Sequence, residues 1–91
     1  MAVIVIPAAW RTAAGIPHGK LECAAETVGD AVEWLVTAHP ELEPRVLAEP
    51  GRLVSWVSLY LGADDIRDLD GLNTTVPPES EIVVLPALAG G

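Results

Sequence analysis

Few side chains in this sequence combine into a reactive group. Cys23 is the single thiol, so it can form neither an internal disulfide nor a Cys-based zinc site. It shares a strand face with Leu21, and burial there outweighs a role as a reactive or sulfur-relaying thiol. His18 and His39 lie far apart, with no cysteine or helix-spaced carboxylate to complete a ligand set. His39 suits a helix C-terminus, where the dipole favours a cation. Asp64, Asp65, Asp68 and Asp70 miss the spacing of a calcium loop and read as a solvated acidic turn. No metal site is expected. There is no Ser-His-Asp pattern, glycine-rich phosphate loop or HExxH. What remains is the carboxylate of Gly91, an oxygen anion at the end of a Gly90-Gly91 pair. An α-carboxyl group has a pKa of roughly 3.3–3.7 and is ionised near neutral pH. Chain ends are often small and frayed, so the pair alone carries little weight.

The bulk properties narrow the classes of function. The 91 residues, 51% hydrophobic and 20% charged, suit one ordered domain. A domain of this size has little room for a deep cleft, which lowers the expectation of a stand-alone enzyme. Thirteen acids against five bases give a net charge of −8. Such a surface repels phosphate backbones and anionic membranes, so neither nucleic acid nor membrane is an expected partner. It either attracts a basic protein surface or serves only solubility. No apolar run reaches transmembrane length and no signal-peptide pattern precedes Val3–Ile6. With one thiol, a reducing cytoplasm is the expected compartment.

The elements that would carry the chain end follow from patterning. Val3–Ile6 is a β-branched run stopped by Pro7 and predicts a buried strand. Ala8–Gly19, with Gly15, Pro17 and Gly19, reads as a loop joining a hairpin. Lys20–Ala25 alternates as a second strand. Thr27 is a good N-cap, with Asp30 placed to answer it. Val28, Ala31, Val32, Leu35 and Val36 then form one buried helical stripe, ended by Pro40. Residues 41–53 read as a short helical turn and a loop, and Leu53–Leu61 as a strand. An edge segment is expected around Ile66, an irregular stretch over Leu69–Thr74 and a turn at Pro77–Ser80. Glu81–Leu85 reads as the last strand. This order predicts an α+β fold of the β-grasp (ubiquitin-like) kind: a mixed sheet with one main helix packed across one face. The other sheet face is left for water or a partner. The domain is placed at residues 1–86 and a flexible tail at 87–91.

The segments Trp56-Val57-Ser58-Leu59-Tyr60-Leu61, Asp64-Asp65-Ile66-Arg67 and Ile82-Val83-Val84-Leu85-Pro86-Ala87-Leu88-Ala89-Gly90-Gly91 resemble the MoaD/ThiS/CysO group of ubiquitin-like sulfur carrier proteins. Gly62-Ala63 departs from the group, whose members often carry Asn and an acidic residue there. The proline-bearing segment 41–53 looks more like the CysO and MoaD branches than the shorter ThiS chains. The resemblance implies a carrier rather than an enzyme. An activating enzyme would use MgATP to adenylate the Gly91 carboxylate, a sulfur donor would displace AMP, and a second, biosynthetic enzyme would take sulfur from the thiocarboxylate. No cofactor is expected on the chain itself. Ala89 and Gly90 would thread the activating enzyme's channel, where a missing Cβ helps. The resemblance also implies a C-terminal processing protease as a partner wherever Gly91 is exposed by trimming.

In the resembling proteins the open sheet face beside the tail meets the activating enzyme, so Trp56, Tyr60 and Leu88 are the candidate partner contacts. The alternative is that Trp56 and Tyr60 cover the rim of the core. Trp34 is expected off the apolar helix face, and Arg11 and Arg67 could pair with nearby acids or with a partner. Among pathways, the CysO-like one (cysteine or another sulfur-containing metabolite) leads over a MoaD-like subunit of molybdopterin synthase and over thiazole formation. A ubiquitin-like modifier or a docking module is the alternative from another class.

Overall fold

A computed structural model describes residues 1–49 and 51–86. Strand β1 (Ala2–Val5) buries Ala2 and Ile4 and turns Val3 and Val5 to the other face. It pairs antiparallel with β2 (Lys20–Cys23), placing Ile4 opposite Leu21 and Ala2 opposite Cys23. On its other side it pairs in parallel with β7 (Glu81–Pro86), Ile4 opposite Ile82. Strand β7 also pairs antiparallel with β5 (Val57–Leu61), which carries the short edge strand β6 (Asp64–Asp65). The five-stranded order is β2-β1-β7-β5-β6. The mixed sheet, with α2 (Val28–Ala38) across one face, is the expected β-grasp arrangement.

Helix α2 begins where Thr27 Oγ1 accepts a hydrogen bond from the Asp30 backbone N–H at 3.1 Å. That satisfies one of the donors a helix start leaves free. Its stripe Val28, Ala31, Val32 and Leu35 is buried against the sheet side chains Ile4, Leu59, Ile82 and Val84. Each such aliphatic side chain contributes roughly 1.5–3 kcal/mol by leaving water, so this helix–sheet contact is the main source of cohesion. No helix among the described residues is long and apolar enough to cross a membrane.

Several local expectations change. The segment expected to be a loop contains a helix, α1 (Ala8–Ala14), whose Trp10 is 3% exposed. Its Ala-rich composition favours helix, and Gly15, at φ 66°, closes it in the left-handed conformation that glycine accepts without a Cβ clash. The Arg11 side chain then donates to the Ile16 carbonyl, and Ile16 is buried beside Trp10 in the core. Residues 41–53 hold a 3₁₀ turn (Pro40–Leu42), α3 (Glu43–Val46) and a two-stranded hairpin, β3 (Leu47–Glu49) and β4 (Arg52–Leu53). Leu42 and Val46 are fully buried, which explains why this segment is tied down. The strand expected over Leu53–Leu61 is interrupted by a turn and runs only from Val57. Ile66 is not an edge residue: it opens a 3₁₀ turn (Ile66–Asp68) and is buried, the edge strand being Asp64–Asp65. A second 3₁₀ turn, Gly71–Asn73, occupies part of the stretch expected to be irregular.

Candidate functional site

The sheet face away from α2 is built by the residues that alternate with the core. Strand β7 sends Ile82 and Val84 inward, and Val83 and Leu85 outward. Strand β5 sends Val57 and Leu59 inward, and Ser58 and Tyr60 outward. The register sets Tyr60 opposite Val83 and Ser58 opposite Leu85. Val83 lies opposite Val5 on the other side, and Val5 opposite Lys20. A row Tyr60–Val83–Val5–Lys20 thus crosses four strands. Leu85 is 49% exposed and Trp56, immediately before β5, is 56% exposed. Apolar side chains left open along one face, Leu85 beside Val83 and Tyr60, suit a protein contact.

Charged groups frame this face. The Arg67 guanidinium donates Nε to Asp65 Oδ1 at 3.1 Å and Nη2 to Asp65 Oδ2 at 2.6 Å. Nη2 also reaches Ser58 Oγ at 3.0 Å. Asp65 additionally accepts the Arg67 backbone N–H at 2.9 Å and so caps the 3₁₀ turn. The Arg67 side-chain and backbone hydrogen bonds hold the Asp65 carboxyl below the usual carboxylate range, and the same pair raises Arg67 above its own. Since Ser58 is opposite Leu85, this fixed cation stands next to the point where β7 leads into the tail. At the other edge, Lys20 Nζ reaches Glu81 Oε2 at 3.0 Å; both partners are well exposed, so the pair adds little stability.

Of the residues singled out from sequence, Tyr60 stands half-buried on this face, and Trp56 stands exposed in the turn immediately before β5. Leu88, Ala89, Gly90 and Gly91 lie outside the described residues, as does the expectation of a flexible tail over 87–91. Arg67 is paired with Asp65, which sequence left open. Leu85, Val83 and Val5 were missed as face residues. The signal was the second apolar set in Glu81–Leu85, which alternates with the buried set and has no core position to fill. Cys23 is 1% exposed, and burial pushes its thiol up, away from the reactive thiolate. Trp34 does not stand off the helix: it is half-buried against the core and meets the His39 ring edge-on, centroids 6.3 Å apart. His39 caps the end of α2. No cluster of metal-ligating side chains occurs among the described residues.

A five-stranded mixed sheet on one helix, with an apolar open face beside the last strand and a Gly-Gly ending, defines a ubiquitin-like β-grasp protein. The sequence profile of the ThiS family matches residues 4–91, and the chain belongs to that family. It is 27% identical over 74 residues to the sulfur carrier protein CysO of Mycobacterium tuberculosis, covering 79% of this chain and 80% of that one. Among solved structures, the Amycolatopsis orientalis BexX/CysO complex contains a chain that superposes with a TM-score of 0.86 at 26% identity, over 100% of both chains. The small archaeal modifier protein 1 of Methanosarcina acetivorans superposes with a TM-score of 0.85 at 26% identity, over 99% of this chain and 95% of that one.

Proposed function

We propose that this chain is a sulfur carrier whose working group is the Gly91 carboxylate, a co-substrate of partner enzymes rather than a catalyst. The observation that carries the reading is that the family match extends through Gly91, the Gly-Gly ending included. In the first step a carboxylate oxygen attacks the α-phosphorus of MgATP on an activating enzyme, and pyrophosphate leaves. Sulfide then attacks the acyl carbon and AMP leaves, so that the end becomes a thiocarboxylate. A sulfur-accepting biosynthetic enzyme completes the cycle, in a CysO-like pathway to cysteine or another sulfur-containing metabolite.

The face formed by Tyr60, Val83 and Leu85, with Trp56 in the turn before β5, serves as the docking surface for the activating enzyme, with Leu88 extending it and Ala89 and Gly90 entering the channel. The likeness to a chain of the BexX/CysO complex supports a body that docks on a partner protein. A second reading, a ubiquitin-like modifier joined through Gly91 to lysines of other proteins, is favoured by the likeness to small archaeal modifier protein 1.

Intact mass of the untagged protein from its own host separates the two. Exchange of one carboxylate oxygen for sulfur adds about 16 Da, and fragment masses distinguish it from oxidation of Met1 or Cys23. A sulfur-bearing Gly91 supports the carrier. An unmodified end after incubation with host extract, MgATP and a sulfide source, together with isopeptide adducts in that extract, replaces it with the modifier.

A further inference from the structure

The other side of the domain carries a second surface, and the open sheet face does not use it. Helix α2 runs along one wall of a groove of about 540 Å³; α3 and the start of β3 form the opposite wall, and the 3₁₀ turn Gly71–Asn73 closes one end. Val36, Leu47 and Leu72 line it and are only partly buried, leaving apolar surface in contact with water. Its rim carries the exposed carboxylates Asp30, Glu33 and Glu43. None of the three takes part in an ion pair among the described residues, and no basic side chain lines the groove. The end is set by a close approach at Gly29, where a Cβ would stand 3.0 Å from the Leu72 carbonyl oxygen.

We propose that this groove is a docking site for a cationic, aliphatic segment of a partner protein. The floor asks for Leu- or Val-like side chains, and the rim for lysine or arginine flanking them. Charge complementarity is local as well as global, since the groove is lined by carboxylates without a single cation while the chain carries −8. An anionic or purely polar partner is disfavoured on the same grounds. The groove lies on the helix side and the face of Tyr60 and Leu85 lies on the open side of the sheet, so both can be occupied at once. The inference is independent of any chemistry at Gly91.

The test is a titration of the isotope-labelled full chain, followed by amide NMR, with two synthetic peptides. One alternates Leu-Leu and Lys-Lys pairs; the other has the same lysines with every leucine replaced by serine. The expected result is shift changes at Val36, Leu47 and Leu72, with Ser58 and Tyr60 unmoved. The serine peptide and the double variant Glu33→Lys/Glu43→Lys should each bind about tenfold more weakly than the leucine peptide binds the unchanged chain. The variant's remaining amide spectrum reports whether it is folded, and Leu47→Ser supplies a second test that leaves charge untouched. Equal binding of the two peptides, shifts spread over the acidic surface, or shifts centred on the open sheet face overturn the proposal. Because the readout needs no activating enzyme, its failure is distinguishable from failure of the carrier reading.

Discussion

Replacing Trp56 by alanine separates a partner anchor from a core-rim residue. A tryptophan offers roughly 250 Å² of surface. At 56% exposure, about 140 Å² of it is still open to a partner. Complete burial of that area at about 25 cal/mol per Å² is an upper bound of about 3.5 kcal/mol. The alanine Cβ keeps part of the contact and burial at interfaces is incomplete, so about 2 kcal/mol is the working value, the usual threshold of a hot spot. That is about 30-fold in affinity. An exposed site away from the core changes stability by only about 0.5 kcal/mol, or about 2–4 °C in Tm for a domain this size. The assay is ATP–pyrophosphate exchange by the host's activating enzyme at rising concentrations of this chain. The expected outcome is a KM for the carrier raised about 30-fold with kcat nearly unchanged, as for lost ground-state binding. A KM within about threefold of the unchanged protein, in a variant that still melts normally, refutes the anchor. A Tm lowered by more than about 8 °C places Trp56 with the core instead.

Ile82→Ala removes a side chain that is 1% exposed in the strand joining β1 to β5, and should cost about 2–5 kcal/mol in urea unfolding. Gly29→Ala gains about 1 kcal/mol of helix propensity but meets the Leu72 carbonyl oxygen at 3.0 Å. That oxygen is backbone and cannot swing away, so the variant should melt below the unchanged protein. The Asp65 carboxyl, titrated by carbon NMR, should show a midpoint below about 3.9, the ordinary aspartate value, and Arg67→Ala should return it upward. Because the folded value is the lower one, the pair's contribution is complete above the unfolded pKa. It disappears as pH falls through the depressed folded value. Folded protein should leave Cys23 unlabelled by a thiol reagent that reacts at once after denaturation, since the thiol is buried and its pKa raised.

The parts of the fold legible in the sequence were those where one periodicity dominates. The stripe Val28–Val36 after Thr27 gave α2 with both of its ends, because spacing, cap and Pro40 agree. The runs Val3–Ile6 and Glu81–Leu85 gave the two parallel strands. Helix α1 was hidden because Gly15, Pro17 and Gly19 punctuate the segment, while its seven residues are too few to show a stripe. Only Trp10 is buried there, and a single aromatic has no period. The break at Val54–Trp56 was equally hidden, since Val and Trp favour strands in any window and the turn is decided by the pairing of Leu47 with Leu53. At the candidate site, Trp56 and Tyr60 were visible as types. Leu85, Val83 and the Asp65–Arg67–Ser58 clamp required the register, which no local pattern encodes.

Strand β7 is hydrogen-bonded on both sides, in parallel to β1 and antiparallel to β5. An enzyme that grips the chain beyond Pro86 and pulls therefore loads two ladders along their length. Such a load must break the bonds of both ladders together, whereas a pull across an edge strand such as β6 would open them one at a time. The body is built as a mechanical anchor. On the carrier reading, force applied beyond Pro86 is spread over the central strand and its buried Ile82 and Val84 rather than over an edge strand.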